Sequence, residues 1–253
     1  MPIYLSKTGY GYTYKREKLS KGKNRKLNLK FILFILMAIA LVVSLVIFIP
    51  KVFKKNNGNE ERFLYALNIL STTNFDEANL TSTYVQNQGA SGYIHKEDNE
   101  YKVYLSCYYS EEDANKVMTS LNENGYKVSL TKINFPLINT KENDFDNAIN
   151  IFYDTYLKLY DLSIQYDKNE ISSINLKENV NMLIKTNEQI INNFNDFYKG
   201  SSVSKIIYTR IYLEMLQENL SQLTQKTENL SSEIKSHYFY IIFLYKQLLQ
   251  NIQ

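Results

Sequence analysis

The chain has 253 residues, 44% of them hydrophobic, and a formal net charge of +3; that length suffices for one or two domains with real cores. A single cysteine, Cys107, excludes an internal disulfide and any cysteine-based metal site. Two histidines, His95 and His237, leave little for metal or triad chemistry.

The charge is uneven. Nine basic residues (Lys7, Lys15, Arg16, Lys18, Lys21, Lys23, Arg25, Lys26 and Lys30) precede an uncharged apolar run, opposed only by Glu17. The chain beyond that run is mildly acidic, which argues against a nucleic-acid partner. The run itself, Phe31 to Pro50, spans about 30 Å as a helix, the thickness of a bilayer's hydrocarbon core. It is longer than the apolar core of a cleaved signal peptide and exits into Lys51-Val52-Phe53-Lys54-Lys55 without a small-x-small site. The expectation is therefore one uncleaved transmembrane helix over 31–50. The excess of Lys and Arg before it places the 1–30 tail in the cytoplasm and the rest outside. Heavy use of Lys, Asn, Ile and Tyr fits the coding bias of an AT-rich bacterial genome, so the membrane expected is a bacterial cytoplasmic membrane.

Residues 51–61 are polar, contain Gly58 and show no apolar period, the pattern of a linker. Beyond them the sequence matches itself at an offset of 36 residues. Tyr65, Leu67 and Ile69 fall on Tyr101, Val103 and Leu105; Asp76-Glu77-Ala78-Asn79 falls on Glu112-Asp113-Ala114-Asn115; Gly89 falls on Gly125, and Ile94 on Leu130. Two copies are too few for a solenoid and indicate a duplicated unit within one small domain. In each copy an alternating strand (63–70, 101–108) leads to a helix entered at Asn74-x-x-Glu77 or Ser110-x-x-Asp113, with buried alanines at 78 and 114. Each helix stops at a glycine and a short strand comes next, 93–96 and 126–133, with Glu97-Asp98-Asn99 turning between the copies. The order is β-α-β-β-α-β over 62–134, a ferredoxin-like α+β domain with two helices on one face of a four-stranded sheet. Alternation turns Tyr65, Leu67, Ile69, Tyr101, Val103, Leu105, Val128 and Leu130 towards the helices. Asn68, Tyr93, His95, Lys102, Tyr104, Ser106, Lys127 and Ser129 then share an open face, the candidate site.

The run Tyr101-Lys102-Val103-Tyr104-Leu105-Ser106-Cys107-Tyr108-Tyr109-Ser110-Glu111-Glu112-Asp113-Ala114 resembles the second-half signature of the SPOR domain, the sporulation-related repeat. Arg62-Phe63-Leu64-Tyr65-Ala66-Leu67-Asn68-Ile69 resembles its first strand, with Asn68 where the family often carries Gln. The likeness covers about Phe63 to Ile133, less than a third of the chain. Leu70, Ser106 and Cys107 replace family glycines and proline, and Lys102 replaces an arginine, whose planar bidentate contacts lysine does not make. The resemblance implies binding of peptidoglycan, in particular glycan strands stripped of stem peptides at division or sporulation septa, through the open sheet face. Asn68, Tyr93, Lys102, Tyr104 and Ser129 are the glycan-binding residues it points to. Tyrosine rings suit that role, offering an apolar face and a hydroxyl to a sugar.

From residue 141 the period changes to 3.6. Phe145, Ala148, Ile149, Phe152, Tyr156, Leu159 and Tyr160 form one helical stripe. A second helix runs from about Asn175 to Tyr198 and is broken by Gly200-Ser201-Ser202; a third, long enough to be interrupted, extends from Ser202 towards Leu249. Short connections predict antiparallel neighbours and hence a helical bundle over 141–253, available for self-association or a protein partner. Tyr238 to Leu249 is strongly apolar but too short for a second span and contains Lys246. No nucleophile-base pairing, phosphate loop or metal spacing occurs, so neither an enzyme nor a cofactor is expected. Two function classes remain: a single-pass, septal, glycan-binding envelope protein, and a membrane-anchored scaffold that binds protein only. An RNA-binding role on the same topology requires a basic sheet in the cytoplasm, which the expected topology opposes.

Overall fold

The computed structural model describes residues 62–252 apart from Leu137, Asn139 and Lys141, together with an isolated pairing of Lys7–Thr8 with Gly11–Tyr12. The expected transmembrane run 31–50 lies outside the described residues. Among those residues no helix is long and apolar enough to cross a membrane.

The fold is α+β. Strand β1 (Phe63–Thr72), helix α1 (Phe75–Gln86), β2 (Tyr93–Glu97), β3 (Glu100–Tyr108), α2 (Glu111–Glu123) and β4 (Ser129–Asn134) follow one another in β-α-β-β-α-β order. The four strands form one antiparallel sheet in the order β2-β3-β1-β4. The duplication seen in the sequence is visible atom by atom. Asn74 caps α1 by accepting from the Asp76 and Glu77 amides, and Ser110 caps α2 by accepting from the Asp113 amide. Ala78 and Ala114 are both fully buried at equivalent points against the sheet. Both helices end in the same paired motif. Ala90 N–H donates to Val85 O and Gly89 N–H to Gln86 O; Tyr126 N–H donates to Leu121 O and Gly125 N–H to Asn122 O. That motif needs a left-handed residue, and Gly89 (φ +81°) and Gly125 (φ +88°) supply it. Between the copies, Asp98 (φ 49°) and Asn99 (φ 68°) make a two-residue hairpin that joins Glu97 to Glu100, the positive φ pair that matches strand twist.

Helices α3 (Asn143–Asp167), α4 (Ser173–Phe197), α5 (Ser204–Gln225) and α6 (Leu230–Ile252) make up the C-terminal part. The long third helix expected from the sequence is two, α5 and α6, separated at 226–229, where Asn229 takes φ 50°.

One register detail relocates side chains. In the β1–β3 pairing Leu67 faces Ser106 but Asn68 faces Tyr104, so Leu105 is an extra residue; Leu70 then faces Val103, so Ile69 is extra on the other strand. Cross-strand partners share a face. The first bulge therefore turns Ser106 to the α1/α2 side beside Leu67 and puts Cys107 beside Ala66 on the opposite side. This corrects the expectation for Ser106, which uninterrupted alternation places on the open face.

Two cores result. The smaller lies between the sheet and α1 and α2 and contains Leu67, Ala78, Val85, Val103, Leu105, Ala114 and Val128. The larger is continuous from Leu64, Ala66, Tyr104, Cys107 and Ile133 of the sheet into Phe152, Tyr156, Tyr238, Phe239, Ile242 and Tyr245 of the helices. The sequence divides 62–134 from 141–253; the structure gives the two stretches one shared core within a compact unit, Asn57–Gln253.

Candidate functional site

The candidate site is the sheet face turned away from α1 and α2. That face is covered: helix α6 lies across it. Tyr93 stacks on Phe239 and Phe243, with ring centroids at 5.8 and 5.7 Å. Tyr104 stacks on Phe239 at 5.2 Å and meets Phe243 at 5.7 Å, and the His95 ring stacks on Phe243 at 3.6 Å. Below them the Tyr238 hydroxyl accepts from the Cys107 amide at 3.2 Å and lies 3.1 Å from Ser106 Oγ. The pairing of β3 with β2 stops at Tyr104, and beyond it a side chain of the helix satisfies the Cys107 amide.

The five residues assigned to glycan are not presented together. Tyr104 is 1% exposed, sealed between sheet and helix, and its cross-strand partner Asn68 is 4% exposed, which corrects the expectation of an open surface. Asn68 Nδ2 has no hydrogen-bond partner there. Tyr93 is half-buried beneath the two phenylalanines. Lys102 is drawn into an ion pair with Glu97 at 2.8 Å, and Glu97 also takes Lys246 of α6 at 3.0 Å. Hydrogen bonds from the two ammonium groups, Lys102 first, hold the Glu97 carboxyl down to about 2 against the opposing effect of its burial. Ser129 alone stays exposed, at the start of β4 on the far side of β1 from β3. Of the other residues placed on that face, His95 is half-buried and its pKa lowered by burial, with Lys246 and Lys102 adding to the effect against Glu97.

Burial dominates the remaining titrating groups of the interface. It pushes the Tyr104 hydroxyl and the Cys107 thiol up to about 12, and the Tyr238 hydroxyl well above its usual value. A thiol held neutral and fully buried is a packing residue, in line with its environment between Ala66 and Tyr156.

The residues that sequence reasoning missed are Tyr238, Phe239, Phe243 and Lys246. Their signal was present in the apolar stretch Tyr238 to Leu249. Ten positions of α6 from His237 to Leu249 are buried, over more than half of the helix circumference, leaving open only the side of Tyr240 and Gln247. A helix apolar over so wide an arc must be covered on more than one side. The bundle covers one side and the sheet covers the other.

A second concavity lies where α1 and α2 leave the sheet uncovered. It has a volume of about 350 Å³ and a lining that includes Leu67, Ile69, Val85, Leu105, Val117 and Leu121, with Asp167 and Lys235 beside them. The lysine is spent: its Nζ meets Asp167 at 2.6 Å, Gly89 O at 2.7 Å and Ser231 Oγ at 2.9 Å, one acceptor for each of its three protons. The cavity offers apolar volume without a free charge to orient a ligand. Among the described residues no group of three His, Cys, Asp or Glu side chains is placed to hold a metal ion. Comparison of the chain with protein-family models, with curated proteins and with solved structures finds no match in any of the three.

Proposed function

We propose that this chain is a membrane-anchored extracytoplasmic scaffold of the bacterial envelope, and that its sheet serves as the seat of the helical bundle instead of a glycan reader. The observation that carries the reading is the cover of α6 over Tyr93 and Tyr104, with Asn68 buried beside Tyr104. The SPOR-like pattern of Tyr101 to Ala114 and the order of basic tail, apolar run, linker, βαββαβ unit and helices support an envelope setting. That order also resembles the layout of stage II sporulation protein B, which would make the setting a septum.

Magnitudes decide between the two roles of the sheet. Tyr93, Tyr104, Tyr238, Phe239 and Phe243 meet at the interface, and burying each such ring contributes about 1.5–3 kcal/mol. Their sum is on the order of 10 kcal/mol, as large as the whole stability of a typical domain. A glycan that opened this face would have to supply that sum through its preference for the open state. Micromolar binding supplies roughly 8 kcal/mol in total. The closed arrangement wins.

The test is co-sedimentation of the full chain in nanodiscs with sacculi, before and after amidase removal of stem peptides. The expected result is no binding to either. Retention on stripped sacculi would restore the glycan role and require α6 to leave the sheet. A fragment limited to 62–134 does not serve, because cutting away α6 uncovers rings that the chain keeps buried.

A further inference from the structure

We propose that one end of the helical bundle, the end nearest to where the chain leaves for its membrane span, rests on the bilayer interface through an apolar cap. The inference rests on the membrane-anchored reading above. Four termini define this end. Glu142, before α3, pairs with Lys205 at the start of α5 (3.7 Å) and accepts from Tyr198 at the end of α4 (3.1 Å). Asn251 at the end of α6 donates to Tyr212 of α5 at 3.1 Å.

Of the large apolar side chains that the bundle exposes among the described residues, five lie at this end, while Ile174 and Met182 stand apart from one another along α4. Phe197 is 67% and Val203 53% exposed, and Ile207, Tyr208 and Ile211 are exposed beside them. Val203, Ile207 and Ile211 recur at four-residue intervals, so they form one strip along the first turns of α5. Farther along the same helix the exposed positions become Glu214 and Glu218, which confines the strip to the end. Among the described residues nothing covers that strip.

Its position brings one partner, the bilayer, within reach. The continuous described stretch begins at Arg62, whose guanidinium lies 4.7 Å over the ring of Tyr153 in α3. Tyr153 is ten residues into that helix, about 15 Å from the capped end. Residues 51–61, which link the apolar run to Arg62, reach at most about 40 Å. The cap therefore stays within reach of the bilayer. Tethering raises the effective concentration to roughly millimolar, so even weak insertion is well populated. Aromatic and branched side chains suit the interfacial zone. Charge does not drive the contact: Lys199, Lys205 and Arg210 are offset at this end by Glu142, Asp144 and Asp196. Docking should therefore be equal on neutral and anionic lipid.

The test uses the full chain, one copy per nanodisc, with a nitroxide at Tyr208→Cys and, for comparison, at Glu228→Cys in the connection between α5 and α6 at the other end. Buried Cys107 is checked for background labelling in the unsubstituted chain. Expected is a nitroxide at 208 that is accessible to oxygen and shielded from a water-soluble nickel chelate, in phosphatidylcholine and phosphatidylglycerol discs alike, while the one at 228 stays open to nickel. Ile207→Ser with Ile211→Ser should restore nickel access at 208. Equal nickel access at 208 and 228 in a chain that resists carbonate extraction overturns docking alone. Release of the chain by carbonate overturns the anchored reading and docking together. Shielding confined to phosphatidylglycerol discs overturns apolar insertion. Shielding that needs two chains per disc, with dipolar broadening between labels, overturns it in favour of a second copy.

Discussion

Replacing Phe239 with alanine tests whether sheet and bundle are one cooperative unit. The ring is fully buried and touches the rings of Tyr93 (5.8 Å), Tyr104 (5.2 Å) and Tyr238 (5.3 Å), so its loss opens a cavity walled by both halves. Buried Phe→Ala substitutions cost about 3–5 kcal/mol, part transfer and part cavity. A domain of this kind holds roughly 5–15 kcal/mol, so the variant folds with a much reduced margin. The assay is native-state hydrogen exchange on the full chain, following peptides from β3 (Glu100–Tyr108) and from α4 (Ser173–Phe197), which lies away from the substitution. If unfolding is shared, the slowest amides of both should exchange faster by the same factor, about 100- to 5,000-fold at 1.36 kcal/mol per tenfold. Acceleration in one segment alone, or a change below about tenfold in both, would refute the argument that the continuous core couples them.

Three further outcomes are expected from the same interface. Tyr238→Phe removes the acceptor of the Cys107 amide and should cost about 1–3 kcal/mol in urea unfolding, the penalty of a buried donor left unpaired; a loss under about 0.5 kcal/mol would mean the amide finds another partner. Cys107, fully buried with its thiol pushed up to about 12, should react with a thiol reagent at pH 8 only at the rate of unfolding, and faster in the Phe239→Ala chain; rapid modification of the native chain would contradict its placement. His237 is buried on α6, and its pKa is pulled down to about 4 by burial and then by Lys226, while Glu233, 3.7 Å away, is itself held by Lys226 at 3.2 Å. Because the folded value lies below the unfolded 6.5, the unfolded chain takes up the proton first as pH falls. Stability should be complete above about pH 6.5 and fall by about 3 kcal/mol between 6.5 and 4. His237→Gln should flatten that window in melts against pH, leaving the loss at Glu97 between about 4.5 and 2.

The duplication was readable in the sequence because local rules wrote it twice. Asn74 and Ser110 cap, Ala78 and Ala114 pack, Gly89 and Gly125 close, and all lie 36 residues apart. The bulges at Ile69 and Leu105 were not readable, since Val103-Tyr104-Leu105-Ser106 alternates without a break and only the partner strand reveals the extra residue. The break between α5 and α6 was poorly marked: Lys226-Thr227-Glu228-Asn229 carries neither Gly nor Pro, and its one cue is an asparagine able to take positive φ. Least readable was the state of the sheet face. Its cover comes from residues more than 130 positions away in sequence, and a two-period pattern states only that one face is polar enough to be left open.

That ambiguity has a physical origin. Tyr93, Tyr104 and His95 present flat apolar rings with polar edges, a surface that stacks equally well on a pyranose or on a phenylalanine. Nothing in the strand distinguishes the two uses. The distinction lies in what the rest of the chain must hide. In α6 the positions Phe239 and Phe243 point one way while Ile241, Leu244 and Leu248 belong to the same buried core, so an antiparallel four-helix arrangement, which covers one stripe per helix, leaves an apolar side over. Leaving those rings in water costs about 1.5–3 kcal/mol each, and the aromatic side of the sheet removes that cost without exposing a new surface. A tyrosine-bearing sheet face with a helix downstream that is apolar over more than half of its circumference is therefore better read as two halves of one core than as a binding site and a bundle.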